Sequence, residues 1–253
     1  LWQKRDRLAA TPQALCWWAL LPLAVSGLAW TVATLADVQV VQQLAVVTII
    51  CGVVLFVMGW RWSLVAIFPL GFLYLSVPLG DGLVPHMIDY TADFVVAALR
   101  LSGIPVYRDG TNFVIPSGSW SVVSGCSGMR YLMATVTVGV LFAHLNYRSP
   151  WRKIAFVGVA IGVAFVANWI RAYGIVMIAH FSNMTLALGV DHYVYGWVFF
   201  GIIIFLLMLI GSTFSDRSQA SDPVAGPPLP TVVSRGLLPG LLALLCVTFM
   251  WPV

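Results

Sequence analysis

The 253-residue chain contains no glutamate. Its nine acidic residues are all aspartate, and charged residues make up 9% of the sequence against 60% hydrophobic. Soluble chains are about a quarter charged and about 45–50% apolar, so this composition excludes a soluble enzyme and a disordered chain. Cysteine is scarce: four residues, Cys16, Cys51, Cys126 and Cys246, with no C-x-x-C spacing. A secreted disulfide scaffold and a paired-thiol oxidoreductase are therefore also excluded. The net charge of +4 is too small to point to nucleic acid and suits basic cytoplasmic loops. No internal repeat is found.

The mean hydropathy of +0.95 and long apolar runs predict an all-α polytopic membrane protein. Seven apolar segments stand out, at 15–36, 44–60, 62–80, 129–145, 154–180, 193–211 and 237–251. Tryptophans gather near their ends (Trp17, Trp18, Trp60, Trp62, Trp151, Trp251), as at membrane interfaces. The basic residues orient the bundle. Lys4, Arg5, Arg7, Arg61, Arg148, Arg152, Lys153, Arg217 and Arg235 all fall on one side if the N-terminus is cytoplasmic. Asp37, Asp81, Asp89, Asp93, Asp109 and Asp191 fall on the other. The chain opens on Leu1 rather than Met, so the native start is expected to be missing; its first span already carries an insertion signal, so no cleavable signal peptide is expected.

The longest stretch between spans, 81–128, is then extracytoplasmic. Residues 84–102 predict an amphipathic helix lying flat on the bilayer, with an apolar face of Met87, Phe94, Val95, Ala98 and Leu101. Asp109-Gly110 between two β-prone runs over 106–115 predicts a hairpin, and 120–123 a third short strand. The expected organisation is a membrane catalytic domain over 1–211, a Pro/Ser-rich cytoplasmic linker over 212–236, and a further transmembrane helix over 237–253.

Three polar clusters interrupt this apolar chain: Ser124-Gly125-Cys126-Ser127-Gly128-Met129-Arg130, Asn168-Trp169-Ile170-Arg171, and Asp191-His192-Tyr193-Val194-Tyr195-Gly196-Trp197. Arg171 lies about 18 residues beyond Lys153, which is about 27 Å of helix, against a hydrocarbon core of about 30 Å. That depth brings it level with Cys126 and His192, which open their spans from the opposite side. A lone membrane cysteine is usually an apolar filler, which suits Cys16, Cys51 and Cys246. Cys126 instead stands at a predicted helix N-terminus with Arg130 one turn later, a setting that favours a thiolate nucleophile. Arg171 has two readings: a snorkelling interfacial arginine or an intramembrane functional charge. Asn168, three residues earlier on the same face, is placed to orient its guanidinium. His192 is an interfacial histidine or a general acid–base, whereas His144 and His180 fit the interfacial reading. His86, Asp89 and Asp93 have metal-ligand spacing, but a solvated helix face explains them equally well, and no metal or other cofactor is expected.

With these residues, the chain resembles the exosortase/archaeosortase family of membrane cysteine transpeptidases, most closely the exosortase A type. The resemblance runs through Gly125-Cys126-Ser127-Gly128-Met129-Arg130-Tyr131-Leu132, Asn168-Trp169-Ile170-Arg171, and His192 with Gly196-Trp197, and covers roughly residues 15–211. The chain departs from it at Ser124-Gly125, where the family often has Glu-Ala. The resemblance implies a catalytic set of Cys126, Arg171 and His192. The implied substrates are exported proteins bearing a C-terminal Pro-Glu-Pro motif, a transmembrane helix and a basic tail. It also implies transfer to an acceptor in exopolysaccharide-linked surface assembly at a Gram-negative inner membrane, with the active site near the periplasmic face. Arg130 and Arg108 are then candidates to pair with the motif's carboxylate. The expected partners are these sorting signals and the lipid bilayer. Two rival readings stand beside it: a transporter or channel with Asn168 and Arg171 lining a polar cavity, and a non-catalytic assembly scaffold.

Overall fold

A computed structural model describes residues 10–12, 14–182 and 190–216, excluding the side chains of 190–195. These residues fall into two compact units that meet in sequence between Leu79 and Gly80. Five helices are long and apolar enough to cross a membrane among the described residues, and a sixth candidate forms if two helices flanking residues 77–80 are joined. The seventh predicted segment, 237–251, and most of the linker lie outside the described residues.

In the first unit, a short 3₁₀ turn (Trp17–Ala19) leads into α1 (Leu20–Leu35), which pairs with α2 (Gln39–Met58). Cys16, Ala19, Leu23 and Phe56 form its buried centre, so Cys16 is the apolar filler expected of it. Leu21, Val25, Leu28, Val32 and Leu35 are exposed along α1. Such a row is rare on a water-facing helix and suits a lipid-facing one. The segment predicted as one span over 62–80 is broken into α3 (Trp60–Val65), α4 (Ile67–Phe72) and a 3₁₀ turn (Leu73–Ser76). Pro69 accounts for the break: it lacks an N–H and is tolerated only in the first turn of a helix, its place in α4.

The second unit begins with a 3₁₀ turn (Asp81–Leu83) and α5 (Val84–Leu101), then a sheet of β1 (Tyr107–Asp109), β2 (Asn112–Ile115) and β3 (Gly118–Ser121). The predicted hairpin is present, closed by Gly110 at φ +60°. The third strand lies two residues earlier than predicted, because the two-residue turn Pro116-Ser117 sets Ile115 opposite Gly118. The apolar face of α5 also differs from the predicted one. The buried stripe is Met87, Thr91, Ala92, Val95, Val96 and Leu99, while Leu101 is 90% exposed. Met87 and Val95 belong to both faces, but packing buries the side that carries Thr91, Ala92, Val96 and Leu99 and leaves Leu101 out. Ala92, Val95, Val96 and Leu99 pack with Phe113, Ile115, Val122 and Val176 into one core, while Met87 packs with Met129, Leu132 and Ala164.

The remaining helices are α6 (Met129–Asn146), α7 (Pro150–Phe181) and α8 (Val190–Thr213). Pro150 starts α7 at the position where proline is pre-organised for a helix. The 32 residues of α7 span about 48 Å, more than a hydrocarbon core of about 30 Å. Its buried stripe includes Ala160, Ala164, Ala167 and Ala179. Small residues let helices approach closely: a Cβ on Gly139 of α6 would lie 3.2 Å from that of Ala160.

Candidate functional site

The nucleophile candidate sits in a short turn whose backbone is held from several sides. Ser124–Cys126 form a 3₁₀ turn. The Cys126 N–H donates to the Val123 carbonyl at 2.8 Å and the Ser127 N–H to that of Ser124 at 3.2 Å. The buried Ser127 hydroxyl also donates to the Ser124 carbonyl, at 2.7 Å. Gly128 then takes a left-handed conformation (φ +83°) as the N-cap of α6, where a side chain would be strained. The helix therefore starts at Met129, where the predicted apolar segment begins, and Cys126 lies two residues before its cap rather than at the helix N-terminus. Cys126 is partly buried and packs against the core formed by α5, the sheet and α7.

On α7, Asn168 is 2% exposed and Arg171 is 7% exposed. They lie on the same stripe as the alanines, so these two polar side chains occupy core positions. Asn168 donates from Nδ2 to the Cys126 carbonyl at 3.0 Å and to the Thr91 hydroxyl of α5 at 3.4 Å. The first cluster thus meets the second through Asn168, whose Nδ2 bonds the backbone of Cys126. The fit is close: a Cβ on Gly128 would lie 2.7 Å from Asn168 Nδ2. Asn168 Oδ1 is buried without a partner among the described residues. An unpaired buried acceptor costs about 1–3 kcal/mol, and such exceptions call for an explanation.

The second cluster meets the third through Arg171. Its guanidinium carbon is 5.1 Å from the centroid of the Tyr131 ring, in cation–π range. Tyr131 stacks on Phe200 of α8 at 3.8 Å between centroids. A Cβ on Gly196 would lie 2.6 Å from the Tyr131 hydroxyl and 3.0 Å from Arg171 Nε, so only glycine admits the guanidinium there. The burial of Arg171 among three helices argues against simple snorkelling, which would keep its charge in water. His192 belongs to α8 one turn before Gly196, and its side chain lies outside the described residues.

Other candidates fall elsewhere. Arg108 pairs with Asp93 of α5 and donates from Nε to the Gly110 carbonyl at 2.6 Å, so its charge is already matched within the fold. Arg130 is exposed beside the Cys126 turn. Asp93 is taken up by Arg108, which removes one member of the spacing His86, Asp89, Asp93. His180 bonds Ser117 of the β2–β3 turn at 2.9 Å. Thr91 and Tyr131 were not assigned roles from sequence. The one signal for Thr91 is a hydroxyl residue four places after Met87 on an apolar stripe.

A multi-pass set of apolar helices that gathers a cysteine turn, a buried arginine and a glycine-bearing third helix defines a membrane protein with buried polar side chains among its helices. The model of the transmembrane exosortase family matches residues 1–209, and the chain belongs to that family. No curated protein and no solved structure matches it.

Proposed function

We propose that this chain is an integral-membrane cysteine transpeptidase that cuts the C-terminal Pro-Glu-Pro sorting signal of exported proteins. It passes the new carboxyl end to an acceptor in exopolysaccharide-linked surface assembly. The observation that carries this reading is the bond from Asn168 to the Cys126 carbonyl, which joins the cysteine turn to the stripe that bears Arg171. The Cys126 thiolate attacks the scissile carbonyl carbon, and Arg171 stabilises the resulting oxyanion, a contribution of about 3–4 kcal/mol for one donor in other enzymes. The C–N bond then breaks, the leaving amine takes a proton from His192, and a thioester remains on Cys126. His192 next takes the proton of the acceptor nucleophile, which attacks the thioester and releases the thiolate. Arg130, exposed beside the turn, is the remaining candidate for the motif's carboxylate.

We read the N-terminus as cytoplasmic from the distribution of basic residues, and, from the family, the site as lying near the periplasmic face of an inner membrane. A single cysteine at Gly110 should then label from outside, and one at Ser149 should not. The decisive experiment is mass spectrometry of the full chain incubated with a membrane-anchored Pro-Glu-Pro substrate. A substrate fragment in thioester linkage to Cys126 is expected. Cleavage with no such adduct, and undiminished in Cys126→Ala, would overturn the reading. A Cys126 inert to mild alkylating agents would favour a transporter or a scaffold.

A further inference from the structure

We propose that Thr91 and Asn168 act as one positioning pair that sets the Cys126 turn from behind. The inference rests on the reading of Cys126 as nucleophile and adds a residue of α5 to that site. Thr91 is fully buried. Its hydroxyl donates to the Met87 carbonyl at 2.7 Å, which leaves its oxygen as the acceptor facing Asn168 Nδ2 at 3.4 Å. The same Nδ2 donates to the Cys126 carbonyl at 3.0 Å. One amide nitrogen therefore ties three elements together: α5, α7 and the turn before α6. Its two hydrogens are assigned to two acceptors, so the amide cannot rotate without losing both.

The turn itself leaves little freedom at this point. Gly128 is left-handed and packs directly on the Asn168 amide, so a shift of Asn168 is a shift of the Cys126 peptide. A backbone held this way fixes where the Cys126 sulfur meets an incoming carbonyl. Displacement of about 1 Å from productive geometry costs about a hundredfold in rate. Neither Thr91 nor Asn168 need touch substrate, so the effect should fall on kcat and leave KM nearly unchanged. Groups acting as one unit should also give non-additive losses.

The test uses the full chain in membranes, with Thr91→Val, Asn168→Ala and the double variant compared per folded enzyme. Each single variant is expected to lower kcat by about tenfold to a hundredfold with KM within about twofold. The double variant should be no worse than the poorer single one, and Thr91→Ser should recover most of the Thr91→Val loss. A second readout is independent of catalysis. The rate of Cys126 alkylation by N-ethylmaleimide, measured without substrate and with Cys126 as the sole cysteine, should change by several-fold in both single variants and no further in the double. A chain that proved not to cut peptides would still show that coupling. Additive losses in the double variant, or unchanged alkylation in Thr91→Val, would overturn the pair. If Thr91→Val fails to accumulate, Thr91→Ala against Thr91→Ser gives the same comparison.

Discussion

At one end of the α6–α7–α8 trio, Phe142, Tyr147 and Phe156 close against Gly211. The Tyr147 hydroxyl donates to the Gly211 carbonyl at 2.7 Å. Burial pushes this phenol's pKa up, with Arg152 opposing and Asp216 adding to the shift, which keeps the donor protonated. Asp216 pairs with Arg152 and accepts the Arg148 N–H at 3.0 Å. At the other end α7 buries Arg171 against α6 and α8, and Asn168 against α5 and a left-handed glycine, with Asn168 Oδ1 lacking a partner among the described residues. Both ends use a glycine of α8 for close approach: Gly211 against aromatic rings, Gly196 against a guanidinium. The first arrangement stabilises. The second spends stability to hold polar groups in fixed positions, as functional sites do.

That contrast predicts which changes harm activity and which harm only the fold. The largest effect is expected from Cys126→Ala, which should abolish substrate processing while the protein still accumulates in the membrane. Cys126→Ser should be nearly inactive, because a hydroxyl ionises far less readily than a thiol. Immunoblots of substrate in cells lacking any paralogue measure both, and full processing by Cys126→Ala would remove the functional end from the comparison.

Next comes Arg171. Arg171→Ala should lose about 10²- to 10³-fold in turnover, the range for a missing oxyanion donor. Arg171→Lys should lose most of the activity too, since a lysine cannot reproduce the planar guanidinium held over Tyr131. Steady-state cleavage normalised to folded enzyme decides it. Near wild-type rates for the lysine variant would reduce Arg171 to a structural anchor.

The two glycines sharpen the contrast directly. Gly196→Ala would set a Cβ 2.6 Å from the Tyr131 hydroxyl and 3.0 Å from Arg171 Nε. It should lower turnover by about tenfold or more through the displaced guanidinium. Gly211→Ala would set one 2.9 Å from Phe142 Cε1. Overpacking there costs about 1–3 kcal/mol, offset by up to about 1 kcal/mol of helix propensity. Thermal unfolding in detergent should show that cost, with turnover per folded enzyme unchanged. The smallest effect is expected from Asp216→Asn, which weakens a partly exposed ion pair: about 0.5–1 kcal/mol of stability and no change in turnover.

Much of the architecture was legible because membrane helices announce themselves by apolar runs that need no partner to be recognised. The predicted spans at 129–145, 154–180 and 193–211 correspond to α6, α7 and α8 within a few residues. Asp109-Gly110 marked the hairpin, since the required positive φ restricts the residue type. The break at Pro69 was missed because hydropathy averages over it. The face of α5 was misplaced because the apolar residues of its sequence allow two stripes, and packing against α7 and the sheet selects one.

The site divides the same way. Cys126, Asn168 and Arg171 could be singled out from sequence because a polar residue inside an apolar run is conspicuous, whatever its neighbours. Their partners could not. The sequence placed Asn168 three residues before Arg171, and local helix geometry alone made the two a pair. Only the tertiary structure turned the Asn168 amide toward the Cys126 carbonyl and Thr91, residues 42 and 77 positions away in the chain. Sequence by itself determined the spans that became α6, α7 and α8, the hairpin turn and the chemical identity of the candidate residues, because each follows from local composition or backbone limits. The tertiary structure decided the buried face of α5, the engagement of Arg108 by Asp93, and the hydrogen-bond partners of the Cys126 turn. Those depend on which surfaces pack together, and a buried polar group is satisfied by the nearest donor or acceptor in space, wherever it lies in the chain.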